Sequence, residues 1–116
     1  MAEQPYQFFE AGKTQADGDV ELRQQDAEIY VRDRFNHQFT IRGTSGTVEL
    51  WGKFQGMKEE AGEEQLGFEP LLDSLGDPVV VDLAAPLSFI IYGAFQAFKL
   101  VPVAVVGTYD YSVIGW

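Results

Sequence analysis

Apolar and polar side chains alternate with a period of two along much of the chain. In Phe35–Arg42, Phe35, Phe39 and Ile41 share one face while Asn36, Gln38, Thr40 and Arg42 share the other, the pattern of a half-buried strand. Thr47–Phe54 repeats it, with Val48, Leu50 and Phe54 directed inward and Glu49, Trp51 and Lys53 outward. Gly43-Thr44-Ser45-Gly46 lies between them and has hairpin length, so the two segments are expected to form an antiparallel hairpin. Further strands are predicted over Gln4–Phe9, Asp19–Arg23, Glu28–Asp33, Gly67–Leu72, Val79–Leu83, Leu87–Tyr92, Ala97–Val101 and Thr108–Ile114, punctuated by glycines and prolines. No window of a dozen residues sustains a 3.6-residue apolar repeat, and Glu59–Leu66 has room for one helical turn at most. Short strands without crossover helices imply an all-β, antiparallel β-sandwich of jelly-roll or immunoglobulin-like kind, with almost no helix. One domain spanning 1–116 is expected, with 1–18 a candidate N-terminal arm.

Composition supports a folded core: 46% of the 116 residues are hydrophobic and 14% are aromatic. The formal charge of −10 at pH 7 disfavours phosphate backbones and anionic lipid, so neither nucleic acid nor membrane is an expected partner. Charge is also uneven. Met1–Asp82 carries seventeen acids and seven bases, whereas Leu83–Trp116 carries only Lys99 and Asp110. The acidic run Lys58–Glu64 is expected to be a solvated loop, since it lacks the Asp-rich ligand spacing of a calcium site. Phe89–Gly107 is apolar, but Gln96, Lys99, Pro102 and two glycines interrupt it, so strands are expected there and not a membrane span. Met1–Tyr6 has neither the basic nor the apolar region of a secretory signal.

Catalytic chemistry finds no support. With no cysteine and one histidine, thiol nucleophiles and Cys/His metal sites are absent from the chain. His37 falls on the same side of its strand as Phe35 and Phe39, where a satisfied or interfacial histidine is expected before a general base. Ser45 lacks the glycine spacing of a nucleophile elbow and reads as a turn serine. Asp82 interrupts an apolar run but alternates outward with Val80, opposite Val79, Val81 and Leu83. No enzyme activity, cofactor or metal is expected.

Surfaces are the better prospect. Trp51 is expected half-exposed on the charged face of its strand, either covered by a loop or serving as a partner anchor or sugar platform. Trp116 either docks on its own domain or inserts into a neighbour. Leu87–Val106 is apolar on both faces of its expected strands, which points either to burial by another chain, making Tyr92, Phe95 and Phe98 interface candidates, or to central strands covered by the acidic loop and the N-terminal arm. The aromatic N-terminal residues Tyr6, Phe8 and Phe9 could pack on a neighbour in the same way.

The succession Gly46–Gly52, Phe68-Glu69-Pro70-Leu71, Val81–Ile90 and Gly107–Val113 resembles the small β-sandwich structural proteins of tailed bacteriophage virions. Capsid decoration (cement) proteins and related head or tail accessory proteins belong to this group. The likeness spans Phe39–Trp116. It implies a non-enzymatic virion protein that stabilises the shell as a trimer or dimer, with the major capsid protein or other virion proteins as partners. A tail, neck or fibre accessory role is the nearby alternative. Discoidin-like carbohydrate-binding sandwiches share the strand–loop–strand rhythm, which implies an adhesion module with Trp51, Tyr92 or Trp116 as stacking platforms.

Overall fold

Two long antiparallel strands carry the architecture of the computed structural model, which describes residues 6–22, 34–54, 68–85, 87–93 and 95–116. They are β3 (Asn36–Phe54) and β7 (Phe95–Gly115), paired from His37↔Gly115 to Phe54↔Phe95. The remaining strands are β1 (Tyr6–Lys13), β2 (Val20–Leu22), β4 (Glu69–Pro70), β5 (Val80–Asp82) and β6 (Leu87–Tyr92). A 3-10 turn, Gln15–Asp17, joins β1 to β2, and the described residues contain no α-helix.

The seven strands form one open antiparallel sheet, and that sheet folds over itself. Register shifts between Gly43 and Ser45 and between Ser45 and Thr47 bend β3 against β7. Gly46 at φ 100° and Ala104 at φ 54° sit in this bend, conformations that bulges use to re-aim a strand. On one side of the bend lies layer one, β6–β3–β7–β1; on the other lies layer two, with β4 and β5 beside β3 and β2 beside β7. Phe39 of layer one meets Phe98 of layer two edge-on at 5.0 Å between ring centroids. The antiparallel all-β sandwich expected from the sequence is therefore present, its layers being the two halves of a single sheet.

The hairpin expected at Gly43–Gly46 does not form. Glycines inside an alternating pattern also mark bulges, and here the chain passes through them and stays paired with β7. The inward positions are odd at Phe39 and Ile41 but even at Val48 and Leu50, so β3 changes face as it passes through the bend. Likewise Ala97–Val101 and Thr108–Ile114 are parts of the single strand β7, which Pro102 and Gly107 do not end. Segment 6–13 is an integral strand paired with β7, so the candidate arm is part of the sheet over those residues. Lys58–Glu64, Glu59–Leu66 and the whole of the expected strand 28–33 lie outside the described residues.

Side-chain chemistry closes both the bend and the far end of the sandwich. At the bend, Gln15 Nε2 donates to the Pro102 carbonyl at 3.0 Å, while its Oε1 accepts from Val105 N–H at 2.9 Å. The two backbone groups freed by the bulge in β7 are thereby satisfied from β7's own edge. At the far end, Tyr6 pairs with Gly115, and its ring occupies the space a side chain would need: a Cβ on Gly115 would lie 1.7 Å from Tyr6 Cε2. An aromatic ring laid over a strand glycine shields backbone that would otherwise lack packing.

Candidate functional site

The one histidine is structural. His37 is fully buried beside Phe95 and Phe98, with ring centroids 5.9 and 4.8 Å away. Its Nε2–H donates to the Gly93 carbonyl at 3.1 Å, since a carbonyl only accepts, and Nδ1 then accepts from Tyr6 Oη–H at 2.6 Å. Burial lowers its pKa from the ordinary 6.5, against the pull of the Gly93 and Arg34 carbonyls. A neutral histidine whose two nitrogens are both engaged is a core tie. Ser45 sits in the bend of β3, and Asp82 is exposed, its Oδ1 accepting from Ala84 N–H at 3.0 Å. Among the described residues no cluster of His, Asp and Glu could hold a metal. No helix among them is long and apolar enough to cross a membrane.

The interface candidates divide by burial. Tyr6, Phe95 and Phe98 are interior, at 2%, 4% and 0% exposure, so within one copy they are core and not contact surface. Phe95 and Phe98 both reach the interior because the register shift between Lys53 and Phe54 reverses alternation there. Phe8 is half-buried and packs against the core. Trp51 is half-buried on the outer face of layer two, where its Nε1–H donates to Glu49 Oε1 at 3.1 Å and Lys99 Nζ lies 4.8 Å over its ring. Phe9, Tyr92 and Trp116 remain exposed, and all three belong to layer one.

These three stand on one surface, the outer face of layer one. Register places Ser88, Thr40, Ser112 and Phe9 in one row across β6, β3, β7 and β1, and Ile90, Gln38, Ile114 and Gln7 in the next. In the third row Tyr92 pairs with Asn36, whose other side carries Trp116 through the bonds Trp116 N–H to Asn36 O at 2.9 Å and Asn36 N–H to Trp116 O at 3.0 Å. No acidic, basic or imidazole side chain occurs in these rows; the Arg42–Asp110 pair lies beyond Thr40, and Glu69 of β4 lines the groove beside Ile90 and Tyr92. The outer face of layer two, by contrast, presents Glu21, Glu49, Lys53 and Lys99 beside Trp51. Sequence reading singled out Tyr92 and Trp116 by their aromatic character. It missed Asn36, Gln38, Thr40 and Ser112 as their neighbours, because only the register of β3 against β6 and β7 brings them together.

The edges of the two layers differ as well. Those of layer two are short, two or three residues each, and carry Glu21, Pro70 and Asp82, devices that discourage further pairing. Those of layer one are β6, six residues without a charge, and β1, eight residues uncharged from Tyr6 to Phe9. Neither has a second strand partner among the described residues. Beside β6, a groove of about 500 Å³ runs between it and β4, lined by Leu71, Leu72, Ile91, Tyr92 and Phe95 among others.

No protein-family model matches the chain, and no curated protein matches it. Among solved structures, one of the Bacillus endospore appendages, which form a novel family of disulfide-linked pili, is similar over 97% of this chain and 84% of its own. The TM-score is 0.49 and the sequence identity 11%.

Proposed function

We propose that this is a non-enzymatic structural protein that assembles with copies of itself through the open edges of layer one. The observation that carries this reading is the pair of open edges, β6 without a charge and β1 uncharged from Tyr6 to Phe9, at opposite ends of a four-stranded layer. Because the strands alternate in direction and are even in number, β6 and β1 run oppositely. A neighbour placed by simple translation then sets its β6 antiparallel to β1, and the sheet continues without a break in hydrogen-bonding pattern. The joined surfaces are different, so the contact is heterologous and repeats along a row, ring or lattice of subunits. With no cysteine in the chain, such an assembly rests on backbone hydrogen bonds and apolar burial.

Reinforcement of a virion shell beside the major capsid protein is the setting we propose for it, following the resemblance in the sequence. The acidic balance suits an outer accessory protein that does not compete for packaged nucleic acid. Light scattering over a concentration series tests the edge reading. Mass should rise with concentration for the natural chain and stay monomeric for Phe9→Lys or Ile90→Lys, each of which puts a cation beside one edge. A natural chain that stays monomeric throughout, or variants that assemble as it does, would overturn the proposal.

A further inference from the structure

We infer that the outer face of layer one binds an extended, neutral polysaccharide lying across its strands. The inference is independent of edge pairing, since it concerns the face and not the rim.

Charge sets the class of ligand. The chain carries −10, yet the three rows of this face hold only hydroxyl, amide, apolar and aromatic side chains. A nucleic acid, an anionic glycan or an anionic membrane needs cations, and Arg42 at the border is opposed by Asp110 at 3.8 Å. A second copy stacked face to face would desolvate Gln38, Thr40, Ser88 and Ser112 against an identical polar ladder, which costs free energy wherever partners do not match. Sugars suit the same groups, because each ring offers hydroxyls that both donate and accept, together with an apolar C–H face that stacks on aromatic rings.

Geometry sets its direction. Tyr92 and Trp116 are 70% and 49% exposed and flank Asn36 in one row. They stand two strand spacings apart, about 10 Å, close to one disaccharide repeat of an extended β-linked glycan. A chain across the strands would place alternate sugars on the two rings, with Asn36 between them. Gln38 Nε2 and Thr40 Oγ1 both reach Ser88 Oγ, at 3.2 and 3.0 Å, which holds this polar ladder in place without ligand.

The test is calorimetric titration of the full chain with cellohexaose and with chitohexaose, against hexagalacturonate as the anionic comparator. The expected result is saturable binding of a neutral hexasaccharide that survives about 0.5 M salt. Tyr92→Ala and Trp116→Ala should each weaken it about tenfold, while Trp51→Phe on the other layer leaves it unchanged. Both rings are exposed, so the variants should keep their denaturation midpoints, which are measured alongside. Absence of saturable binding to both neutral probes at millimolar concentration, binding of the anionic probe alone, or full affinity in the Tyr92→Ala/Trp116→Ala double variant would each overturn the inference.

Discussion

Replacing Gly115 by alanine tests whether the Tyr6 ring is what the end of the sandwich is built around. The added Cβ would fall 1.7 Å from Tyr6 Cε2 and 2.3 Å from Cζ, so the ring must leave. Tyr6 is 2% exposed and its hydroxyl donates to His37 Nδ1. Re-exposing about 150 Å² of aromatic surface at about 25 cal/mol per Å² costs near 4 kcal/mol as an upper value. An undonated Nδ1 adds about 1 kcal/mol. We therefore expect Gly115→Ala to cost about 3–5 kcal/mol, a large part of a small domain's stability. Tyr6→Ala should cost a similar amount. In the Tyr6→Ala background, Gly115→Ala should cost less than about 0.5 kcal/mol or even stabilise, because glycine is a poor strand residue. Urea denaturation followed by far-UV circular dichroism gives the four corners of the cycle. Equal costs of Gly115→Ala in both backgrounds would refute the reasoning. A Gly115→Ala chain that fails to fold, beside a double variant that folds as well as Tyr6→Ala, would support it.

Three further outcomes are expected. Burial holds the His37 pKa below its ordinary 6.5 in the folded state, so its contribution is complete above the unfolded value and is lost as pH falls below it through the folded value. Urea midpoints measured from pH 7 to pH 5.5 should fall for the natural chain, and His37→Gln should flatten that slope; an unchanged slope would remove His37 as its source. Tyr109 Oη is buried without a hydrogen-bond partner among the described residues, and burial first, then Asp17, Glu10 and Asp19, push its pKa up to about 12. Tyr109→Phe should therefore be neutral or stabilise by about 1 kcal/mol, and a loss of that size in a thermal melt would reveal a partner. Gln15→Ala strips the bulge in β7 of its donor and its acceptor, so a loss of about 1–2 kcal/mol is expected in the urea midpoint. A midpoint like that of the natural chain would show that solvent satisfies Pro102 O and Val105 N–H equally well.

Strand identity was legible wherever one face met the core and the other met water. Val81 and Leu83 lie inside with Val80 and Asp82 outside, as alternation predicts. Trp51 is half-buried on the charged face of its strand. Alternation reports which face a residue occupies but not which strand it pairs with, and apart from Phe35, which lies just ahead of β3 and is exposed where an inward position was expected, the misread features were matters of pairing. Gly43–Gly46 has the chemistry of a hairpin turn and of a bulge alike, and only the equally long β7 alongside decides between them. Phe95 and Phe98 lie in an apolar run where no polar residue marks the outer face, so the register shift that turns both inward leaves no local signal. The Tyr6–Gly115–His37 contact joins positions that are remote in sequence, and nothing near any one of them announces it. Of the candidate face, the aromatic residues could be named in advance, whereas their rows depend on the register of four strands.

Because β3 and β7 each run through both layers, neither layer has strands of its own at its centre. Bending one sheet in this way makes the two halves a single cooperative unit, since opening layer two also frays strands that layer one requires. It has a kinetic cost too. The central pairing joins segments distant in sequence, and loop-closure entropy is spent before such pairs form. Until Phe95–Gly115 arrives, the whole of Asn36–Phe54 lacks its main partner. Folding is therefore expected to be slow for a domain of this size, and the bend, where the register between the two strands shifts twice, is where a register error would be hardest to undo.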